Sequence, residues 1–217
     1  MGHPLWPLYD LRLRTPDLEL RLPTEDELVE LCAVAKAGIH DPDFMPFQVP
    51  WTRKPSPRFE REFIQHYWGQ RADWSPERWA LNLAVWHDGR LVGSQQLRAE
   101  SFPLVREVHT GSWLGKRFQG KGFGKQMRAA VLHLAFAGLG AVAAHSGAYR
   151  GNHASLGVSR ALGYEQNGVR RVAAGGEART EILLRLPRER WKAYRYCEVE
   201  VSGLSACREM FGAGEAG

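Results

Sequence analysis

The segment that most restricts what this chain can become is Trp113-Leu114-Gly115-Lys116-Arg117-Phe118-Gln119-Gly120-Lys121-Gly122-Phe123-Gly124-Lys125-Gln126-Met127-Arg128. Its glycines alternate at 120, 122 and 124, between a strand predicted over 108–114 and a helix predicted over about 124–138. Met127, Val131 and Leu134 recur at helical spacing, so one face of that helix is buried and its start is held rigidly. Glycine lets a backbone approach an anion closely and turn its N–H groups inward. The helix adds unpaired N–H groups and the positive end of its dipole. Lys121, Lys125 and Arg128 add charge, and with Lys116 and Arg117 they make the sharpest basic cluster in a chain of net charge +5. A small polyanion explains that cluster better than a duplex does. A plain tight turn beside a solvated lysine face is the alternative.

Several classes are excluded by what is missing. A phosphate-binding NTPase loop needs G-x-x-x-x-G-K-[ST], and Gln126 stands where the hydroxyl residue belongs. A dinucleotide fold needs G-x-G-x-x-G, whereas the spacing here is G-x-G-x-G. No long basic run or recognition motif supports a nucleic-acid partner. No apolar run approaches the roughly 18 residues that cross a bilayer. Residues 1–11 lack the features of a secretory signal, so a cytoplasmic location is expected. Cys32, Cys197 and Cys207 are odd in number and lack zinc-ligand spacing with histidine, which implies reduced thiols and no metal.

Elsewhere Leu18, Leu20 and Leu22 alternate with polar residues as in a half-buried strand, and Thr24 to Glu27 forms a T-x-x-E capping box. Leu28, Leu31, Cys32 and Ala35 then make an apolar helical stripe. Residues 38–79 are interrupted by prolines and rich in aromatics, with a short helix predicted over 59–68 and a long ordered loop or lid around it. Strands over 81–85 and 91–97 are joined at Asp88-Gly89, a type I′ hairpin signal. A strand near 141–146, a helix over 154–162 closed by Gly163, and a hairpin over 169–173 and 180–186 complete the pattern. The order β-α(α)-β-β-β-α-β-α-β-β predicts an α/β fold with a mixed sheet and helices on both faces. The expected domain spans 1–190, followed by an extension over 191–217 in which 198–201 forms an added strand.

Three features together carry a resemblance. Gln119-x-x-Gly122-x-Gly124 matches a Q/R-x-x-G-x-G/A pattern at a strand–helix junction. Asn152-His153-Ala154-Ser155 precedes Ala161-Leu162-Gly163-Tyr164. Thr15-Pro16-Asp17-Leu18-Glu19-Leu20-Arg21 opens the chain's first strand. In these the sequence resembles the GNAT acyltransferases, in particular their RimJ/RimL-like branch, over residues 13–190. Asp17 stands where the branch usually has arginine. Within the branch the chain looks most like an actinobacterial subgroup for which succinyl-CoA, as well as acetyl-CoA, is implicated as donor.

The resemblance implies a twisted, mostly antiparallel sheet whose central parallel strand pair splays apart to admit a CoA thioester. It assigns the backbone of Ser112, Trp113 and Leu114 to pantetheine, and the N–H groups of Gln119, Gly120, Lys121, Gly122, Phe123 and Gly124 to pyrophosphate, with Lys125 adding its charge to the cofactor site. Gly122 and Gly124 are expected to need positive φ as well as close approach. Ser155 is implied as donor to the departing thiolate, with Tyr149 as a second candidate; helix capping or plain packing is the alternative. Asn152 orients backbone or pantetheine, or caps the helix. His109 occupies the position where relatives often carry a basic carboxylate, so it is the candidate base; a half-buried structural histidine is the alternative. Glu107 shares its face by strand parity and is the backup. His40, Phe47 and Trp51 line either an acceptor pocket or a small satellite core. The implied reaction is direct attack of an amine on the thioester, without metal. A non-catalytic acyl-CoA sensor and a ribosome- or RNA-associated modifier are the rival classes. The apolar lid and tail point to a homo-oligomer, in the simplest case a homodimer.

Overall fold

The computed structural model describes residues 3–214, so Met1, Gly2 and residues 215–217, the outermost parts of the two expected segments, lie outside it. Its strands run in chain order β1 (Arg12–Arg14), β2 (Glu19–Arg21), β3 (Arg78–His87), β4 (Arg90–Glu100), β5 (Glu107–Leu114), β6 (Ala143–Tyr149), β7 (Glu165–Ala174), β8 (Glu177–Pro187) and β9 (Glu200–Ser202). They join in one open sheet of order β7-β8-β6-β5-β4-β3-β2-β1-β9. Only β5 and β6 are parallel; every other neighbouring pair is antiparallel. This is the mixed α/β sheet that the element order implies, with the central parallel pair that the resemblance implies.

Helices α1 (Glu25–Lys36) and α2 (Arg58–Ala72) cover one face, and α4 (Phe123–His133) and α5 (His153–Ala161) the other; α3 (Phe102–Val105), α6 (Arg188–Ala193) and α7 (Leu204–Cys207) are short. The α1 start is a complete capping box: Glu27 N–H donates to Thr24 Oγ1, and Thr24 N–H donates to Glu27 at 2.8 Å. Leu28, Leu31, Cys32 and Ala35 are buried beneath it. α2 is longer than the aromatic pattern suggests and buries Phe59, Phe63 and Tyr67, one residue per turn. The β3–β4 turn holds Asp88 at φ 48° and Gly89 at φ 71°, the doubly left-handed geometry that a two-residue hairpin needs. The helix predicted to reach residue 138 stops its α-helical bonding at His133 and finishes as a π-helical turn, Leu134–Gly138.

The segment after Trp191 does not hang off the sheet. Trp191, Cys207 and Phe211 are buried in the main core, and β9 pairs antiparallel with β1. Trp74 and Trp79 donate their indole N–H groups to the Met210 and Phe211 carbonyls, at 2.8 and 3.1 Å. The apolar tail, one ground for expecting a homo-oligomer, is thus consumed within its own chain. All three cysteines are free thiols, with Cys32 and Cys207 buried. Among the described residues no helix is long and apolar enough to cross a membrane.

Candidate active site

The parallel ladder between β5 and β6 is short. It pairs Glu107 with Ala143, Val108 with Ala144 and His109 with His145, and then stops. β5 continues to Leu114 on the edge of β4, and β6 continues to Tyr149 on the edge of β8. From Gly111 to Leu114 and from Ser146 to Tyr149 the two strands therefore face each other across an open gap. Thr110 bridges its closed end by donating its hydroxyl to the His145 carbonyl at 3.3 Å. A strand edge left unpaired inside a sheet presents N–H and C=O groups that an extended ligand can satisfy as an added strand would.

The glycine loop lies at the open end of that gap. Gln119 pins it, donating from Nε2 to the carbonyls of Ile39 and Leu114, both at 2.9 Å. Gly120 and Gly122 are left-handed, at φ 75° and 86°. Gly122 is the N-cap of α4 and has no side chain to cap it. None of the amide N–H groups of residues 120–124 donates to a protein acceptor among the described residues, whereas the amides at either end are taken: that of Gln119, an expected donor, by the Lys116 carbonyl at 3.2 Å and that of Lys125 by the Gly122 carbonyl at 3.0 Å. A run of unpaired N–H groups at a helix start is a ready anion site. Gly124 departs from expectation: its φ is not positive, and a Cβ there would meet Val158 at 3.4 Å and Leu114 at 3.8 Å. The residue already lies in the first helical turn, so no left-handed backbone is required there. Phe123 buries its ring in the core against His87, at 4.4 Å between centroids, leaving only backbone for the loop.

The basic cluster divides on inspection. Lys121 is exposed, and Lys125 lies 5.6 Å from the Tyr196 ring. Lys116 is paired with Asp41. Arg128 does not reach the loop at all. It is 3% exposed and points beneath the gap, a correction to its expected place among the loop cations. The reason is periodicity: one turn beyond Gly124, residue 128 faces the sheet and α5.

A family model described as an acetyltransferase (GNAT) domain matches residues 17–165, more than half of the chain. The chain belongs to the GNAT acetyltransferase family. Solved structures with the same fold include Mycobacterium smegmatis RimJ in complex with CoA-disulfide, at TM-score 0.70 and 19% identity over 84% of this chain and 90% of that one. A GNAT-family acetyltransferase from Bacillus anthracis aligns at TM-score 0.65 and 15% identity, covering 82% and 99%. Ribosomal-protein-S5-alanine acetyltransferase from Vibrio fischeri aligns at TM-score 0.64 and 15% identity, covering 83% and 98%. GNAT acetyltransferases use acetyl-CoA.

In this GNAT chain the other candidate residues fall on two faces. Strand alternation turns Glu107, His109, Gly111 and Trp113 towards α1 and α2, and Val108, Thr110, Ser112 and Leu114 towards α4. His109 stacks on His145 at 5.2 Å, at the last rung before the gap. Burial, with Arg98 and His145 adding like charge, holds its imidazolium below the usual histidine range, so the ring is neutral and able to accept a proton near pH 7. Glu107 is engaged: His145 Nε2 lies 2.9 Å from Oε2, and Arg185 donates to Oε1 at 3.3 Å. Burial pushes its carboxyl up, but those two partners outweigh it and hold it below the usual range. A carboxylate so stabilised is a weak base. Its geometry suits orienting His145 under His109.

Asn152 is the N-cap of α5, accepting from the Ser155 amide at 3.1 Å. The Ser155 hydroxyl has no hydrogen-bond partner among the described residues. Tyr149 ends β6 under the Arg179 guanidinium, 5.7 Å from its ring, and burial raises its phenol. His40, Phe47 and Trp51 come together: His40 meets Phe47 at 5.8 Å and Phe47 meets Trp51 at 5.3 Å. Trp51 reaches Trp113 at 6.2 Å, which links the cluster to the gap. They are also a satellite core, packed on Phe59 and Phe63 of α2. Both His40 nitrogens are occupied, by Thr52 Oγ1 at 2.8 Å and the Asp41 carbonyl at 2.7 Å.

Sequence reasoning missed Gln126. Its Oε1 accepts from Thr15 Oγ1 at 2.8 Å and from the Asp17 amide at 3.2 Å, and its Nε2 donates to Asp17 Oδ2 at 2.5 Å. It ties the β1–β2 turn to α4. Asp17, the departure from the branch pattern, is its partner.

Proposed function

We propose that this chain transfers an acyl group, acetyl or succinyl, from CoA to a primary amine by direct attack within a ternary complex. The observation that carries the reading is the parting of β5 and β6 beyond His109 and His145, with the unpaired amides of residues 120–124 at its mouth. Pyrophosphate on those amides, with Lys121 and Lys125 alongside, directs pantetheine along the free edge of Ser112, Trp113 and Leu114. The thioester then lies between His109 and Ser155. The amine enters from the α1–α2 face, past His40, Phe47, Trp51 and Trp113. Neutral His109, directly or through water, takes the proton lost by the amine. A backbone N–H of β5 meets the developing oxyanion. The C–N bond forms, the C–S pair leaves on sulfur, and the Ser155 hydroxyl donates a hydrogen bond to that thiolate. A polypeptide N-terminus belongs in the acceptor panel, because fold neighbours include ribosomal-protein acetyltransferases. Acetyl-CoA and succinyl-CoA should raise Tm by mass action, and adenosine far less. Equal shifts with ATP and NAD, and none with CoA, would overturn the reading.

A further inference from the structure

Arg128 is the least explained charge in the molecule. Its guanidinium is buried, and no carboxylate lies within ion-pair distance among the described residues. Its partners are all neutral hydroxyls. It donates to Ser159 of α5 at 2.8 Å, to Ser112 of β5 at 3.2 Å and to Ser146 of β6 at 3.5 Å, and its Nε is buried with no partner. Ser112 and Ser146 stand on opposite walls of the gap, just beyond the last rung of the ladder, so the guanidinium spans its floor. A hydroxyl that accepts from an arginine turns its own proton elsewhere. That of Ser159 goes to the Ser155 carbonyl at 3.1 Å, whereas those of Ser112 and Ser146 meet no acceptor among the described residues. A desolvated cation without a counter-charge is costly unless an anion forms beside it.

We propose that Arg128, with Ser112 and Ser146, is a cationic floor that stabilises the CoA thiolate as it departs. This rests on the acyl-CoA reading above. When the C–S bond breaks, its electron pair goes to sulfur and the charge appears in the gap above the two hydroxyls. The amine's proton leaves separately, towards His109. Arg128 is a positioning residue as well, since through Ser159 it fixes the first turn of α5 and hence Ser155. The other titratable groups around the gap are Tyr164 behind Arg128, kept neutral by burial, Tyr149 and His153 at its open end, and His109, His145, Glu107, Arg98 and Arg185 on the opposite face.

The test compares binding of CoA and desulfo-CoA from about pH 6 to pH 9. Both ligands meet the same protein groups, so protein titrations largely cancel in the affinity ratio. A thiol pKa lowered on binding by one unit makes the ratio rise about tenfold across its titration. The bound thiolate should also be visible by its ultraviolet absorbance, with a midpoint below that of free CoA. Arg128→Met should abolish the rise, and Arg128→Lys should keep part of it. A flat ratio with both ligands bound by the wild-type protein overturns the proposal, and that arm needs no variant to fold. Failure of both ligands to bind overturns the acyl-CoA reading instead. An Arg128→Met protein that keeps the thiolate midpoint but loses succinyl-CoA relative to acetyl-CoA would assign the guanidinium to an acyl carboxylate, and would likewise overturn the proposal.

Discussion

Gly122→Val separates the two jobs of the glycine loop. Gly122 sits at φ 86°, and a Cβ there would meet only the Tyr196 hydroxyl, at 3.7 Å. The Cβ meets nothing closely, so its cost is one of backbone conformation. Holding a branched L-residue in that region costs about 1–3 kcal/mol. For a domain of this size, roughly 2–4 °C in Tm per kcal/mol gives a fall of about 2–12 °C. Relaxation out of the left-handed region would turn the neighbouring N–H groups away from a bound phosphate. Each charge-assisted hydrogen bond is worth about 1.5–3 kcal/mol, so losing two should weaken CoA binding by at least about a hundredfold. Gly124→Ala is the control. Its backbone is already helical, and its Cβ meets Val158 and Leu114 at ordinary contact distances. It should keep stability within about 1 kcal/mol of wild type and CoA affinity within about fivefold. Thermal unfolding and calorimetric titration with CoA read both quantities. Wild-type CoA affinity in folded Gly122→Val would refute the loop as the phosphate cradle.

Ser155→Ala should lower kcat by about ten- to a few hundred-fold, roughly 1.4–3.5 kcal/mol, and leave CoA affinity unchanged; a loss seen only in KM would remove Ser155 from the chemistry. His109 acts as base when neutral, and its pKa is depressed, so kcat/KM should fall with falling pH through a value below the ordinary histidine 6.5. His109→Gln should flatten that acidic limb, with acceptors of different amine pKa compared to exclude their own ionisation; retention of the limb with every acceptor would leave a water chain as the base. Gln126→Ala strands Thr15 and Asp17 and should cost about 1–3 kcal/mol in chemical denaturation; an unchanged midpoint would contradict the structural role given to Gln126.

Much of the frame was legible because it is written in local chemistry. Thr24 with Glu27, and Asp88-Gly89, each favour one backbone geometry, and each adopts it. The gap was reached through the resemblance, because a loss of pairing between β5 and β6 leaves no mark on residue alternation. Arg128 illustrates the converse. Beside Lys121 and Lys125 it reads as one more surface cation, and only the helical turn from Gly124 to Arg128 shows that it points inward. The short strand β1 and the packing of the tail, though not its strand near 198–201, were opaque for a related reason. Three-residue strands carry almost no periodicity, and Trp191 and Phe211 find their partners, Phe136, Trp74 and Trp79, far away in sequence. Gly124 looked equivalent to Gly122 by spacing alone, although one caps the helix and the other begins it.

Product mass decides whether the gap between β5 and β6 presents a CoA thioester to an amine. The protein is incubated with acetyl-CoA or succinyl-CoA and a panel of small amines, lysine side chains and peptide N-termini, and both thiol release and acceptor mass are followed. Amine-dependent CoA release should be matched one for one by an acceptor heavier by the acyl group. Tight acyl-CoA binding with no amine-dependent release across the panel would contradict it and leave a CoA-binding protein that does not transfer.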